Sequence, residues 1–197
     1  MILPSSGLMI PWLQSKLDDA ARITAGDLGG EVMPESRKAA VLIPLVLHPD
    51  GPTVLFTERA AHLSTHAGQV SFPGGAYETQ DADLIATALR ETQEEIGLSP
   101  DRVAVMGSLA EYFTISRFRV TPVVGVLQPG FDLMPDPDEV ADVFELPLSV
   151  LLDTRRFERR MIERNGQRGF TNFLEHDGRV VWGATAGMLL MLAKSLE

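Results

Sequence analysis

Residues 74–98, GGAYETQDADLIATALRETQEEIGL, join a Gly-Gly loop to a segment that is dense in carboxylates. Asp81 or Asp83 can cap the start of a helix, and Gly97 can end it in the left-handed conformation. These signals predict a helix over about 83–96. At about 100° per residue, one stripe of this helix should face a core. The stripe comprises Ile85, Ala88, Leu89, Thr92 and Ile96.

A glutamate cluster, defined here as Glu91, Glu94 and Glu95, lies within roughly 100° on the neighbouring face of this helix. Like charges at this spacing destabilise an isolated helix by a few tenths of a kcal/mol per pair, and a divalent cation would reverse the sign. Oxygen ligands favour Mg²⁺ or Mn²⁺ over Zn²⁺. A solvated acidic face is the alternative. The carbonyls of Gly74 and Gly75 favour the metal, because glycine lets the backbone approach an ion.

Arg90 lies on the helix flank opposite the predicted core stripe. Glu94 follows it by four residues, which is within reach of an ion pair on a helix. We therefore expect Arg90 to orient a glutamate of the cluster.

The run 90–98, RETQEEIGL, resembles the C-terminal half of the Nudix hydrolase signature, G-x5-E-x7-R-E-U-x-E-E-x-G-U, where U is a bulky apolar residue. Thr92 stands where an aliphatic residue is usual. Members of that family cleave nucleoside diphosphates linked to another group. The resemblance implies an enzyme that acts on phosphoanhydride bonds and a signature box at about 74–98.

The N-terminal half of the signature departs from this chain by one extra residue. Counting back from Arg90 leads to Ala82 where a Glu is expected, and counting forward from Gly75 leads to Asp81. The resemblance therefore assigns no role to a first Glu. Asp81 and Glu78 are the two candidate substitutes.

Residues 63–75, LSTHAGQVSFPGG, resemble the L-x-x-H-x-G-Q-V-x-F-P-G-G segment of coenzyme A pyrophosphatases, which share the extra residue. Segments 120–125, 137–144 and 182–186 resemble the same subfamily, so the likeness spans about 40–190. It implies hydrolysis of coenzyme A or a derivative to 3′,5′-ADP and (acyl-)4′-phosphopantetheine. Alternatives are ADP-ribose, a dinucleotide or a nucleoside triphosphate as substrate, or a nucleotide sensor without catalysis.

Glu139 lies in the matching segment 137–144. In the family that the chain resembles, an acidic residue outside the box often completes the metal site or serves as the base. Asp138 and Asp142 are its rivals, and helix capping is the alternative role for all three. Glu91 is the other candidate base.

Candidate substrate ligands precede and follow the helix. Arg59, His66 and Gln69 fall in a predicted loop that leads into the site, and Arg117 and Arg119 lie at the mouth of a predicted hairpin, where they could meet a phosphate. Solvent exposure is the alternative for each arginine. His66 also stands four residues after a second histidine, as metal ligands on a helix can. Without a helical apolar pattern, hydrogen-bonded or substrate-contacting histidines are favoured.

The dense positive patch of the chain is Arg155, Arg156, Arg159 and Arg160. These side chains could contact the 3′-phosphate of coenzyme A. Charges that flank a surface hairpin are the favoured alternative.

Length and composition indicate one domain over 1–197, with an N-terminal helix at 11–22 and a loop or linker at 26–37. A net charge of −10 argues against nucleic acid and for a small substrate whose charge a cation offsets. No apolar run reaches about 18 residues, so no membrane span is predicted. The N-terminus lacks the features of a signal peptide, and with no cysteine the chain fits the cytoplasm. A homodimer is compatible with the sequence, which does not decide the oligomeric state.

Apolar runs between turn signals predict the remaining elements. A Thr121-Pro122 pair suggests an edge strand or a bulge in one of them. Together these elements predict an α/β/α sandwich with a mixed central sheet, which is also the fold that the resemblance implies. The predicted elements are a hairpin at 39–57, strands at 103–113, 118–127 and 143–146, a helical turn at 147–152, a hairpin with an Asn-Gly turn at 156–175 and a helix at 182–196.

Overall fold

The computed structural model describes residues 3–4, 6–19, 25–27, 35–164 and 167–197. Strands β1 to β9 form a mixed sheet: Ala25–Gly26, Arg37–His48, Gly51–Arg59, Val70–Ser71, Gly74–Ala76, Ala104–Ser108, Tyr112–Phe113, Phe118–Leu127 and Val140–Pro147. Strands β10 to β12 form an antiparallel sheet: Glu158–Arg164, Gln167–His176 and Arg179–Trp182. Helices α1 to α4 are Ser6–Asp19, Leu84–Ile96, Leu148–Leu151 and Gly183–Ser195.

Strand β2 is the centre of the large sheet and separates two hydrophobic cores. It runs parallel to β8 and antiparallel to β3 and β5. Its side chains alternate between the faces: Leu42 and Val46 pack in the core that includes α2, whereas Ile43 and Leu45 pack in the core that includes α1 and α4. The predicted α/β/α arrangement is confirmed.

The α2 helix has the predicted ends. The Asp83 carboxylate accepts a hydrogen bond of 2.8 Å from the Ala86 N–H, and Gly97 ends the helix at φ 71°. Ala88 and Ile96 of the predicted stripe are fully buried in the core beside β2. This packing fixes the neighbouring edge of the helix, which carries Glu91 and Glu95, against β5.

The prediction of an edge strand at Thr121-Pro122 is wrong. Pro122 lies in β8, which pairs with β2 on one side and with β6 and β7 on the other. The Pro122 carbonyl accepts a hydrogen bond of 2.8 Å from the Leu109 N–H, opposite the gap between β6 and β7. The missing donor of Pro122 therefore falls where the neighbouring strand is interrupted.

Helix α1 begins earlier than the sequence predicts. It starts at Ser6, so Pro11 lies in its interior and not in its first turn. Met9 and Leu13 are fully buried against the large sheet, and this packing offsets the backbone hydrogen bond that Pro11 cannot donate. Residues 20–24 and 28–34, which belong to the predicted helix end and loop, lie outside the described residues.

The predicted C-terminal hairpin is confirmed in its two strands, β10 and β11, and its Asn165-Gly166 turn lies outside the described residues. The sequence missed β12, which is four residues long and directly precedes α4. Trp182 therefore ends a strand and does not begin the helix. Leu174 and Val181 of this sheet are fully buried in the core beside α4. None of the described helices is long and apolar enough to cross a membrane.

Candidate active site

The paired glycines bring the backbone of β5 against α2. Gly74 has φ 151°, and a side chain there would overlap the Ala40 carbonyl and the Val41 backbone. A β-carbon on Gly75 would overlap the carboxylate of Glu91. The strand therefore requires glycine at position 74, whereas a side chain at position 75 would displace the Glu91 carboxylate.

Glu95 is the most deeply buried carboxylate of the cluster, with its side chain 5% exposed. It accepts a hydrogen bond of 3.1 Å from the Gly74 N–H and lies 3.6 Å from Nη1 of Arg59. Burial raises the pKa of Glu95 to about 7, although these two partners favour the ionised form. The charges of Glu91 and Glu139 raise the pKa further.

Glu91 lies one helical turn before Glu95, with its carboxylate beside Gly75. Burial raises the pKa of Glu91, and Arg90, 2.9 Å away, opposes the shift. The charges of Glu94 and Glu139 raise the pKa of Glu91 further. The protein thus holds two partly desolvated carboxylates at the glycine pair.

Arg90 is the hub of the hydrogen bonds around the cluster. Its guanidinium donates to Asp81 at 2.9 and 3.1 Å, to Glu94 at 2.9 Å and to the Ala76 carbonyl at 3.2 Å. The predicted contact between Arg90 and Glu94 is confirmed. Because Arg90 donates to it, the pKa of Asp81 is well below its ordinary value.

Asp81, and not Glu78, is the acidic residue that the loop supplies to this hub. Asp81 is buried and also accepts hydrogen bonds from the Thr87 hydroxyl and the Glu78 N–H. The Glu78 side chain is exposed and bonds to Gln80. The sequence left these two candidates open because spacing alone cannot show which carboxylate turns inward.

The cluster is less compact than the helical spacing suggests. Glu94 is 59% exposed and turns toward Arg90, so only Glu91 and Glu95 lie at the glycines. In the described ranges, no three acidic or histidine side chains already converge as ligands of one ion. Glu91 and Glu95 nevertheless fit a hard cation, because they offer only oxygen, are partly desolvated and repel each other. These two carboxylates would hold Mg²⁺ or Mn²⁺, and a glycine carbonyl as a further ligand stays a prediction.

Glu139 lies in the turn before β9, and its charge acts on two glutamates of the cluster. Its carbonyl accepts a hydrogen bond of 2.8 Å from the Ala60 N–H, which ties this turn to the end of β3. Its side chain is exposed, and its charge raises the pKa of both Glu91 and Glu95. Asp142, a rival candidate, instead bonds to Arg179.

A cleft of about 270 Å³ adjoins the carboxylates. Arg59 connects the two, because it lines the cleft and also pairs with Glu95. His66 and Gln69 line the same cleft and bond to each other at 2.7 Å, so the structure brings three predicted substrate ligands together. The remaining wall comes from Asp27, the loop between β7 and β8, the start of α4 and strands β2, β4, β8, β10, β11 and β12. Sequence patterns could not place those distant segments beside one loop.

Arg117 and Arg119 do not line this cleft among the described residues. Arg117 is exposed at the tip of the loop between β7 and β8, with φ 62°, and Nε of Arg119 pairs with Glu111 at 3.2 Å. Residues 114–116 of the same loop do line it. A phosphate contact by either arginine stays a prediction, and it would lie beyond the cleft rim.

The basic patch is engaged within the protein. Arg155 and Arg156 pair with Asp153, and Arg160 pairs with Glu158 and Glu175. Arg159 stacks on Phe170, 4.7 Å from the ring centroid. These contacts agree with the surface-hairpin alternative for the patch, since the charges of three of these arginines are already balanced.

Comparisons with known proteins give one consistent result. A model of the NUDIX domain matches residues 36–164. The chain is 44% identical over 163 residues to a protein of Pectobacterium atrosepticum called "Uncharacterized Nudix hydrolase NudL", covering 83% of this chain and 84% of that one. It is 46% identical over 159 residues to a protein of the same name from Salmonella newport, covering 80% and 81%. A solved Nudix hydrolase from M. smegmatis, RenU, has a similar fold, with a TM-score of 0.51 at 21% identity, covering 66% of this chain and 81% of that one.

Proposed function

Since the chain belongs to the Nudix hydrolase family of pyrophosphohydrolases, we propose that it hydrolyses the diphosphate of coenzyme A or an acyl derivative. The products are 3′,5′-ADP and (acyl-)4′-phosphopantetheine, and the cofactor is Mg²⁺ or Mn²⁺. At the coarser level, the chain is an enzyme that acts on the phosphoanhydride bonds of nucleoside diphosphate derivatives. A cysteine-free chain acting on such a metabolite fits the cytoplasm.

The observation that carries the proposal is the pair Glu91 and Glu95 beside the glycines. Burial raises the pKa of both carboxylates, and the charge of Glu91 opposes the ionisation of Glu95. Such an arrangement is unfavourable without a cation and favourable with one. A domain that only bound a nucleotide would gain nothing from two repelling carboxylates, so this pair disfavours the sensor alternative.

The side chains around the pair have distinct roles in the proposed reaction. Glu91 and Glu95 would hold a divalent ion, which would neutralise the diphosphate and make a water more acidic. Arg59 lies between the cleft and Glu95, where its guanidinium can bind a diphosphate oxygen. Glu139 or Glu91 takes a proton from the attacking water. The water oxygen bonds to one phosphorus, and the bridging oxygen leaves on the other phosphate with its electron pair.

The segment 63–75 supports coenzyme A as the substrate. Five of its residues line the cleft next to the carboxylates: His66, Gln69, Val70, Ser71 and Phe72. The part of the sequence that resembles coenzyme A pyrophosphatases therefore forms the surface that a substrate would meet. The rival substrates are ADP-ribose, a dinucleotide and a nucleoside triphosphate.

A substrate screen tests the proposal. Coenzyme A, acetyl-coenzyme A, ADP-ribose, a dinucleoside polyphosphate and a nucleoside triphosphate are incubated with Mg²⁺ or Mn²⁺, and the phosphorylated products are separated. We expect the highest kcat/KM for coenzyme A or its thioester. Preferential cleavage of another substrate would replace coenzyme A, and tight binding without any product would favour the sensor.

Replacing Glu95 tests the metal assignment. Glu95→Gln keeps the size of the side chain and removes its charge, so we expect hydrolysis to fall by about 100-fold or more. Mg²⁺ should raise the Tm of the wild type and raise it less in the variant. Hydrolysis within about threefold of the wild type in a folded variant would show that Glu95 is not a ligand.

A further inference from the structure

The cleft has two ends that differ in chemistry. Its inner end meets Arg59, which pairs with Glu95 at the carboxylates, and its outer rim is formed by Ile115 and Phe170. If the diphosphate of the substrate lies at the carboxylates, either the nucleoside or the group attached to the other phosphate could enter the cleft. We propose that the cleft holds the pantetheine arm, with an acyl chain leaving over Phe170 and Met161, and this inference rests on the function proposed above.

Most of the polar side chains of the cleft wall are already bonded within the protein. The two Asp27 oxygens accept from the Tyr112 hydroxyl at 2.7 Å and from the Ile115 N–H at 2.9 Å. Thr185 donates to the Val70 carbonyl at 3.0 Å. Further pairs of this kind are His66 with Gln69, Ser71 with Thr57 and Thr114 with Ser116. Few groups remain to pair with the ring nitrogens of a buried base, which would be left unsatisfied.

The charge of the cleft also disfavours the nucleoside half of coenzyme A, which carries a 3′-phosphate. Among the described residues that line the cleft, Arg59 is the only arginine or lysine, and it faces Glu95. Asp27 adds a negative charge to the same wall. The 3′-phosphate would find no second arginine or lysine on the described part of the wall, and the Asp27 carboxylate would repel it. The pantetheine arm is uncharged and avoids both costs.

The apolar part of the wall fits the arm. Val70, Phe72, Trp182 and Met188 contribute to a lining that suits the dimethyl group that follows the diphosphate in pantetheine. The two amides of the arm are further along, where the cleft opens to water beside Gly169, which is exposed. Each can therefore stay hydrated.

The size of the cleft places the acyl chain outside it. At about 270 Å³ the cleft is at the small end of ligand pockets, which range from about 300 to 1,000 Å³. Pantetheine is longer than such a cleft, and anything attached to its sulfur must pass the rim. There, Phe170 is 56% exposed and Met161 is 61% exposed, and they are directly paired across β10 and β11. These two side chains, with the Arg159 guanidinium over the Phe170 ring, form a surface that meets the cleft at Phe170.

Product binding separates the two orientations. The wild type and Ala184→Leu, which adds bulk to the cleft wall, are titrated by calorimetry with 4′-phosphopantetheine and with 3′,5′-ADP in the presence of Mg²⁺. We expect Ala184→Leu to weaken 4′-phosphopantetheine binding by about tenfold and to change 3′,5′-ADP binding by less than about twofold. Weaker binding of 3′,5′-ADP alone, or equal effects on both products, would overturn the assignment.

The acyl path is tested on the surface, where substitutions leave the core intact. Phe170→Ser and Met161→Ser should each raise the ratio of KM for octanoyl-coenzyme A to KM for coenzyme A by about fivefold. Val180→Ser is the matched control, because Val180 is exposed on β12 and is not among the residues that line the cleft. Unchanged ratios in both variants would overturn the path.

The experiments distinguish an error in this orientation from an error in the proposed function. If the wild type cleaves coenzyme A and Ala184→Leu weakens only 3′,5′-ADP binding, the function stands and the orientation is wrong. If the wild type neither cleaves coenzyme A nor binds 4′-phosphopantetheine, both are wrong.

Discussion

Arg90 and Asp81 are joined by two hydrogen bonds of 2.9 and 3.1 Å between α2 and the loop that precedes it. This loop contains the one extra residue by which the spacing in this chain differs from the Nudix signature. Asp81 nevertheless turns inward and is buried, while the rest of the Arg90 guanidinium holds Glu91 and Glu94. The extra residue is therefore absorbed in the loop without loss of the ion pair that fixes the helix.

Replacing Asp81 should release Arg90 and disturb the carboxylates that it orients. For Asp81→Asn we expect kcat to fall by about tenfold or more, because small displacements of catalytic groups have large effects on rate. Steady-state kinetics at saturating Mg²⁺ measure the change. Glu78→Gln is the control and should keep wild-type kinetics, since the Glu78 side chain is exposed and does not contact Arg90. If Glu78→Gln lowered kcat more than Asp81→Asn, then Glu78, and not Asp81, would be the residue that positions Arg90.

The same pair should make stability depend on pH. The hydrogen bond from Arg90 lowers the pKa of Asp81 below its ordinary value of 3.8. A lowered carboxyl pKa stabilises the fold above the unfolded value, and the contribution is lost as pH falls toward the folded value. The Tm of Asp81→Asn should thus be lower than that of the wild type near neutral pH, and the gap should narrow below about pH 4. Thermal unfolding followed by circular dichroism across this range is the measurement. A gap that stayed constant would argue against an ionised Asp81 as its cause.

Gly75 should be needed for metal use more than for folding. A β-carbon in Gly75→Ala would displace the Glu91 carboxylate, so we expect activity to fall by about tenfold or more and half-maximal activity to need more Mg²⁺. The control is Gly7→Ala in α1, where a β-carbon meets open space and alanine favours the helix. Mg²⁺ titrations of both variants test this. An unchanged Mg²⁺ requirement in Gly75→Ala would separate Glu91 from the metal.

The fold could be predicted from sequence where local signals and burial agree. Asp83, Gly97 and the apolar stripe gave α2 its ends and its inner face, because capping and periodicity act over a few residues. Pro122 misled, because proline usually marks an edge, and only the tertiary arrangement shows that the opposite strand is interrupted there. Strand β12 was missed for a similar reason, since four residues carry too little periodicity.

The candidate site was predictable in part for the same physical reason. Helical spacing correctly placed Glu91 and Glu95 on one edge of α2 and Glu94 within reach of Arg90, yet it could not show that the contact with Arg90 would turn Glu94 away from the glycines. The cleft could not be predicted, because its wall joins segments more than 100 residues apart, such as Gln69 and Trp182. Tertiary packing alone decides such neighbours.

Arg179 should stabilise the junction between the two sheets. From β12 it donates to Glu58 of β3 at 2.6 Å and to Asp142 of β9, and it stacks 4.1 Å above the Phe144 ring. Arg179→Met keeps the aliphatic stem and should lower the free energy of unfolding by about 1 to 2 kcal/mol. Arg155→Met should leave it nearly unchanged, because Arg155 is exposed and pairs only locally. Urea unfolding compares them, and equal effects would mean that the junction contributes little.

Glu139 should act in the chemical step and not in substrate binding. Its charge reaches Glu91 and Glu95, and the backbone bond from Ala60 holds its turn beside the site. As the base, Glu139→Gln would lower kcat by about 100-fold or more with little change in KM. Asp138→Asn is the adjacent control, since Asp138 is also exposed, and it should keep a kcat near that of the wild type. If Glu139→Gln retained kcat, Glu91, the other candidate base, would have to accept the proton.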